Sequence, residues 1–354
     1  MRLAALMAAL LVAGLLAACG EDEAPERSAS NGGPAVKSDT AVFADYGGTT
    51  RSARGAAFFE PFSSQTGARV VSADADPAKM QLFAERGRAE WDLLDVDGWD
   101  LVRFSRAGLL RELPAEVTRT DLVPEEFRDV AAGGYTASVV IGHGTGEDAG
   151  AAPTTWADFW DTERFPGKRG LPSFPYMAVE AALLADGVPC AELYPLDFDR
   201  AFAKLDEIRD DTLFWDSFGQ GAQFLAQGSV AMTLNTNSRI TILRDQGLPV
   251  DLVWNDALLL PWTGMAVPKH APHPDAAFAL LDVMSQPEQQ AQFARLTLYG
   301  PTNSKALDLL DEATLDRLPN SPEHAEMACQ IDPVAASEQL DDYSERYTKW
   351  LAEG

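Results

Sequence analysis

Aromatic and amide side chains stand where predicted strands end in this sequence of 354 residues. They are Tyr46, Trp99, Tyr176, Trp215, Asn235, Asn237, Trp262 and Tyr299. Aromatic faces can hold organic cations and aliphatic chains, and side-chain amides can both donate and accept hydrogen bonds. Ligands bind outside the carboxyl ends of strands in open α/β sheets, so this distribution predicts a binding cleft.

Residue patterns for catalysis or metal binding are missing from the sequence. It has no G-x-S-x-G nucleophile motif and no HExxH metal motif. The run from Gly142 to Gly146 lacks the Lys and Ser or Thr of a phosphate loop, and we interpret it as a surface loop. His270 and His273 fit an exposed turn before a helix better than a metal site. We therefore predict a protein that is not an enzyme and has no cofactor or metal.

Strand-like and helical segments alternate along the chain and would position these side chains. Residues 42–44 predict a strand that ends before Tyr46, and the segment after it predicts a helix that stops at Gly67. Residues 89–100 predict another strand with a turn at its end. Asp197 is placed to cap a helix, another helix is predicted after Ser217, and Pro274 and Pro287 stand at first helical positions. The alternation predicts an α/β fold whose sheets are covered by helices on both faces.

The N-terminal segment has the pattern of an exported protein. Leu3 to Leu16 form an apolar run of about fourteen residues, shorter than the roughly 20 that span a bilayer. The sequence Leu-Ala-Ala-Cys that ends at Cys19 resembles a bacterial lipobox, so we expect a signal peptide over 1–18 and a lipid on Cys19. The alternative is a plain signal peptide with an incidental cysteine. The polar composition of residues 19–40 predicts a flexible tether.

Acidic residues outnumber basic ones by a wide margin. The chain has 28 Lys and Arg against 54 Asp and Glu, a formal net charge of −26. Such a charge repels phosphate backbones, so we predict no nucleic-acid partner, whereas a cationic ligand is permitted. Besides Cys19, the sequence contains Cys190 and Cys329. In an oxidising compartment these two form either a disulfide or two buried thiols, and both alternatives stay open.

Several segments resemble, in order, the segments of one known family. They include AFFEPFSSQTGARV, AEWDLLDVDGWD, TTWADFWDTERFPGKRGLP, FLAQGSVAM and LYGPTN. Together they resemble the spermidine/putrescine-binding family of ABC-transporter substrate-binding proteins. The resemblance implies the type II periplasmic-binding-protein fold, in which two α/β lobes close about a hinge on a ligand in the cleft between them. It assigns residues 41–136 and 260–310 to one lobe, and 137–259 and 311–354 to the other.

The resemblance also implies partners and a place in the cell. A protein of this kind captures a small molecule outside the cell membrane and delivers it to the permease and ATPase subunits of an importer. We expect a monomer, held on the outer face of the cytoplasmic membrane by the lipid on Cys19. Outside transport, the remaining alternatives are a secreted hydrolase or a structural lipoprotein.

The resemblance suggests ligand contacts but leaves two ligand classes open. Three positions of the family that could bind an amine match Tyr46, Asp97 and Trp99 in this sequence. This match favours a polyamine or related organic cation as the ligand. Against this, Thr263 falls where the family has an aspartate, and Ser173 and Tyr176 fall where it has carboxylates. The alternative is a zwitterion or anion, held by Arg239 with the amides of Asn235 and Asn237. Further candidate contacts are Trp215 and Trp262.

Overall fold

The computed structural model describes residues 36–47, 49–146, 150–260 and 262–353. The predicted signal peptide, Cys19 and the tether as far as residue 35 lie outside the described residues. The last residues of the predicted tether pack on the protein instead. The backbone N–H of Lys37 donates to Asp275 Oδ2 at 2.7 Å, and Thr40 begins the first strand. Among the helices of these described ranges, none is long and apolar enough to cross a membrane.

The first of two sheets contains six strands of the described chain. They are β1 (Thr40–Asp45), β2 (Arg69–Asp74), β3 (Leu93–Asp97), β4 (Ala131–Thr136), β10 (Thr263–Ala266) and β11 (Gly300–Pro301). Their order across the sheet is β11, β4, β10, β3, β1, β2. Strand β1 runs parallel to β2 and β3, whereas β10 runs antiparallel to β3 and β4. The carboxyl ends of β1, β3 and β4 therefore meet the start of β10 at one edge.

The second sheet also contains six described strands. They are β5 (Ser138–Gly144), β6 (Arg169–Pro172), β7 (Thr212–Trp215), β8 (Met232–Thr236), β9 (Val250–Leu259) and β12 (Cys329–Gln330). Their order is β12, β9, β5, β8, β6, β7. Because β6 runs parallel to both β7 and β8, the residues that follow these three strands also meet at one edge.

Helices cover both sheets, so the predicted two α/β lobes are confirmed. In the first lobe they are α1 (Thr49–Arg54), α2 (Glu60–Thr66), α3 (Pro77–Glu85), α4 (Gly98–Arg106), α10 (Pro274–Ser285) and α11 (Pro287–Thr297). In the second they are α5 (Trp156–Trp160), α6 (Ala178–Ala185), α7 (Phe198–Asp206), α8 (Phe218–Ala226) and α9 (Asn237–Asp245). The C-terminal helices are α12 (Glu312–Leu315), α13 (Pro322–Met327) and α14 (Pro333–Ala352).

Local sequence signals set the ends of several helices. The side chain of Asp197 accepts a hydrogen bond from the backbone of α7, as predicted for a helix cap, and Ser217 caps α8 in the same way. Pro274 and Pro287 are the first residues of α10 and α11, where their missing N–H costs no helical hydrogen bond. Gly67 ends α2 with φ of 75°, a left-handed conformation that favours glycine.

The interpretation of residues 142–146 as a surface loop is wrong for the first residues of this run. Gly142 and His143 are buried and lie within β5. A Cβ atom on Gly142 would come within 2.6 Å of Ile240 Cδ1, so this glycine is needed for close packing of α9 on the strand. A glycine-rich run is compatible with a strand wherever a helix approaches the sheet closely.

The chain passes between the lobes beside a buried amide. Ala137 joins β4 to β5, and Leu260 and Trp262 lie between β9 and β10. Beside these connections, Asn237 Oδ1 accepts from the backbone of Ser138 at 3.1 Å, and its Nδ2 donates to the carbonyl of Leu298 at 3.1 Å. Asn237 thus ties the second lobe to the first next to the connecting strands.

A disulfide joins Cys190 to Cys329, whose Cα atoms are 5.5 Å apart. Of the two alternatives left open by the sequence, the structure contains the bond. Cys329 belongs to β12, directly before α14, and Cys190 follows α6. The bond therefore fastens the returning C-terminal segment to the second lobe.

Candidate ligand-binding site

Asp97 stands at the edge where the strands of the first lobe end. It is the last residue of β3 and precedes α4, which carries Trp99 in its first turn. The sheet register pairs Asp97 with Thr263 on β10, and Thr263 with Tyr135 on β4. Since β1 ends beside β3, Tyr46 reaches the same edge and is 48% exposed. The structure thus brings four predicted contacts and Tyr135 together.

The carboxylate of Asp97 lacks a cationic partner. Within the described part of the chain, no arginine, lysine or histidine forms an ion pair with it, although its neighbours have such pairs. Burial, followed by the negative charges of Asp95 and Asp100, raises the pKa of Asp97 to about 8. An ammonium group placed beside Asp97 would provide the missing positive charge.

An aromatic side chain of the second lobe, Tyr176, lies close to this carboxylate. The rings of Trp99 and Tyr176 meet edge to face, with centroids 6.0 Å apart. Burial raises the pKa of the Tyr176 hydroxyl, and the nearby negative charge of Asp97 raises it further. Tyr176 packs in turn on Phe218, the first residue of α8, at 5.0 Å. We use the name Asp97 pocket for Asp97 and the aromatic residues around it, which are Tyr46, Trp99, Tyr135 and Tyr176.

A second part of the cleft contains Arg239. A cavity of about 350 Å³ is lined by α1 and α11 of the first lobe and by α8 and α9 of the second. Its polar lining residues are Thr50, Gln223, Ser238, Arg239, Gln246, Thr297 and Tyr299. In the described chain, Arg239 Nε is buried without a hydrogen-bond partner, and no carboxylate pairs with this guanidinium. We call this space the Arg239 cavity.

The first turn of α8 adds to the positive character of the Arg239 cavity. A Cβ atom on Gly219 would lie 3.8 Å from Arg239 Nη1, so the guanidinium lies against this turn. Ser217 caps the helix by accepting from the N–H of Gln220 at 3.3 Å, while the N–H groups before it point out of the helix end. A carboxylate here would meet both a guanidinium and the positive end of a helix dipole.

Tyr299 connects the two parts of the cleft. It lines the Arg239 cavity, and its ring stacks on Tyr135 of the Asp97 pocket with centroids 4.8 Å apart. In the second lobe, Phe218 makes the equivalent connection, since it touches Tyr176 and lies next to Gly219. Ring contacts in both lobes therefore link the surroundings of Asp97 to those of Arg239.

Four other predicted contacts lie outside these two spaces. Trp215 is fully buried against Phe218, and Asn235 Nδ2 donates to the carbonyl of Phe218 at 3.0 Å, so both support the start of α8 from behind. The side-chain amide of Asn237 forms hydrogen bonds with backbone groups beside the connecting strands. Trp262 packs against Phe127 in the core of the first lobe. That these four contact ligand stays a prediction.

Sequence reasoning passed over several residues of the cleft. Tyr135 and Phe218 both follow or end strands, so the criterion that selected Tyr46 and Tyr176 would have found them. Thr50 and Arg54 lie on the helix α1 and not at a strand end, so this criterion does not select them. An arginine in a helix is also usually a solvated charge.

The sequence profile of bacterial extracellular solute-binding proteins matches residues 57–323, and the chain belongs to this family. It is a substrate-binding protein of an ABC transporter. Proteins of this family bind a small solute rather than catalyse a reaction, act in the periplasm or outside the cell, and work with permease and ATPase components. The predicted transport function is confirmed at this level.

Two relatives resemble the chain over nearly its whole length. A gamma-aminobutyric acid-binding protein of Pseudomonas aeruginosa is 32% identical over 328 residues, which cover 90% of this chain and 92% of that protein. The structure of the Atu4243-GABA receptor is 33% identical, with a TM-score of 0.83, and covers 89% of this chain and 98% of its own. This agreement confirms the predicted periplasmic-binding-protein fold.

The polyamine binders are more distant. The spermidine/putrescine-binding periplasmic protein of Escherichia coli is 24% identical over 197 residues, which cover 54% of this chain and 56% of that protein. The comparisons therefore do not support the preference for a polyamine ligand, and the alternative of a zwitterion or anion fits them better.

Proposed function

We propose that this protein captures a zwitterionic, amino-acid-like solute for an ABC importer, and that ω-amino acids such as gamma-aminobutyric acid are the first candidates. Two side chains carry the proposal. Asp97, when ionised, and Arg239 have opposite charges and lack ion-pair partners among the described residues, and the stacked rings of Tyr135 and Tyr299 link their surroundings. A ligand with an ammonium group at one end and a carboxylate at the other would compensate both.

The energetics favour such a ligand over a diamine. A hydrogen bond to a charged group contributes roughly 1.5 to 3 kcal/mol, so a zwitterion can gain this at each end. A diamine would gain it at Asp97 only and would bring its second ammonium group toward Arg239. Two further facts support the proposal: one relative is a gamma-aminobutyric acid-binding protein, and a similar structure is of a GABA receptor.

The remaining features of the sequence are part of the same proposal. We propose that the lobes comprise residues 41–136 with 260–310, and 137–259 with 311–354. A lipid on Cys19 would hold the protein at the outer face of the cytoplasmic membrane, where it would act as a monomer.

Thermal unfolding with candidate ligands tests the proposed ligand class. The secreted chain, with Cys19→Ser to prevent lipidation, is heated with gamma-aminobutyric acid, 5-aminovalerate, succinate, butylamine or putrescine. A ligand at about 100 times its Kd stabilises by roughly 2.7 kcal/mol, which raises the Tm by several degrees. We expect this shift with the two ω-amino acids. A shift with putrescine but not with them would contradict the proposal.

Replacing Arg239 should weaken binding through the ligand carboxylate alone. Arg239→Gln is expected to raise the Kd for gamma-aminobutyric acid by about 10- to 100-fold, because one charge-assisted interaction is lost. Calorimetric titration measures this change. The matched control is Arg244→Gln on the same helix, whose guanidinium pairs with Asp251 at 2.9 Å and lies outside the Arg239 cavity. Equal losses in both variants would show that Arg239 has no special part in binding.

A further inference from the structure

A buried network of arginines and aspartates lies next to the Asp97 pocket. Arg54 of α1 is fully buried, and its guanidinium forms ion pairs with Asp95 on β3 and, at 3.4 Å, with Asp45 on β1. Arg51 pairs with the other oxygen of Asp45 at 2.7 Å and with Asp74 at 2.9 Å. Each of these three aspartates therefore has an arginine as partner.

Asp97 differs from the aspartates around it. Asp95 and Asp97 are two residues apart on one strand, so their side chains leave the same face of the sheet roughly 7 Å apart. Asp100, in the first turn of α4, pairs with Arg103 at 3.6 Å. Among the described residues of this group, Asp97 alone has no arginine. The cleft thus presents one uncompensated carboxylate, although Asp95 lies close by.

We propose that Arg54 is a specificity-determining residue that limits the cleft to ligands with one ammonium group. Its guanidinium fills the position beside Asp95 that the second ammonium group of a diamine would need. Arg54 acts through Asp95 and is a positioning residue, since the ligand itself sits at Asp97. This inference rests on the proposed function, in which Asp97 receives the ammonium group.

The surroundings of Arg54 hold the guanidinium in this position. Its Cζ lies 5.5, 5.7 and 5.8 Å from the ring centroids of Phe43, Tyr135 and Phe293. Nη1 also donates to Thr50 Oγ1 at 3.2 Å. Aromatic faces attract a guanidinium, and its planar donors suit two carboxylates better than a lysine ammonium would. Burial prevents water from replacing it.

The test compares charge-balanced and unbalanced variants. Calorimetric titrations with gamma-aminobutyric acid and with putrescine are made on the wild type, Asp95→Asn, Arg54→Ala and the Arg54→Ala/Asp95→Asn double variant. Circular dichroism checks that each is folded. Arg169→Gln is the control, because Arg169 is also fully buried but binds backbone carbonyls of the second lobe.

The titrations are made at about pH 9, where Asp97 is ionised, so that the effect of Asp95 on the pKa of Asp97 does not contribute. We expect three results. Asp95→Asn then leaves Arg54 with a surplus positive charge near the ligand ammonium group, so gamma-aminobutyric acid should bind about 10-fold more weakly. The double variant restores neutrality and should return to within about threefold of the wild type. Arg54→Ala frees Asp95 and should improve putrescine binding, relative to gamma-aminobutyric acid, by at least about 10-fold.

A buried ion pair with a structural function alone would give different results. Selectivity would then stay at the wild-type ratio in every folded variant, as in the Arg169 control. Unchanged affinity in Asp95→Asn, or a folded Arg54→Ala protein with no gain for putrescine, would overturn the inference. If Arg54→Ala does not fold, Arg54→Gln replaces it in the comparison of putrescine with gamma-aminobutyric acid, because it removes the charge and keeps much of the side-chain volume. If the wild type does not bind gamma-aminobutyric acid, the proposed function is refuted separately. The ratio of the putrescine affinities of Arg54→Ala and wild type still tests the inference about Arg54.

Discussion

Replacing Asp97 with asparagine is expected to raise the Kd for an ω-amino acid by at least about 100-fold. The ligand ammonium group would then be buried without its counter-charge, which costs roughly 3 kcal/mol or more. Calorimetric titration of the purified variant measures the change. The control Asp282→Asn removes a carboxylate of α10 that accepts hydrogen bonds from Thr118 and Gln286, neither of which belongs to the Asp97 pocket, and should keep the wild-type Kd. Wild-type affinity in Asp97→Asn would exclude this carboxylate as the ammonium partner.

The same carboxylate should make binding depend on pH. Its pKa is about 8 in the free protein, raised by burial and by Asp95 and Asp100, so near neutral pH it is mostly protonated. Binding an ammonium group requires the ionised form, and the free protein must release a proton. Affinity should therefore rise with pH, by about tenfold per pH unit below 8, and level off above it.

Titrations between about pH 6 and pH 9 check this expectation. The slope should disappear in Asp97→Asn, which has no proton to release at this position. Equal affinity of the wild type across the range would mean that Asp97 is already ionised in the free protein.

Removing the disulfide is the second change with a large expected effect. Cys190 and Cys329 are separated by 139 positions, and in the chain-entropy model a loop of this length contributes about 5 kcal/mol to stability. With an unfolding entropy of about 2.1 cal/mol/K per residue, Cys190→Ser/Cys329→Ser should lower the Tm by roughly 5 to 10 °C. Thermal unfolding by circular dichroism measures this shift.

Reduction separates loss of the bond from effects of the substitutions. Dithiothreitol should lower the Tm of the wild type by a similar amount and leave the double serine variant unchanged. Neither cysteine lines the Asp97 pocket or the Arg239 cavity, so folded variants should bind ligand as the wild type does. If dithiothreitol does not change the Tm of the wild type, the prediction that this disulfide stabilises the protein is contradicted.

Local patterns predicted the elements around the site well. A cap or a first-turn proline acts through backbone groups within a few residues, so Asp197, Ser217, Pro274 and Pro287 could be assigned without the fold. Gly142 was misassigned because its reason, the approach of Ile240, comes from a helix almost a hundred residues later. Interactions over such separations leave no local pattern.

The sequence could not choose between the two ligand classes for a related reason. The sequence indicated that Asp97 could bind an amine, but it did not indicate how many carboxylates are free to do so. Asp95 stands two residues earlier, and only the fold reveals that Arg54, 41 positions away, has already neutralised it.

The sequence by itself determined the α/β class, the ends of several helices and the transport function implied by family resemblance. It also placed Asp97 and Trp99 at a strand end, because alternation and turn residues are local. Only the tertiary structure decided which charges remain uncompensated and which side chains share the cleft with them. Charges interact through space, so the balance at Asp97 and Arg239 depends on strand order and on the meeting of two lobes.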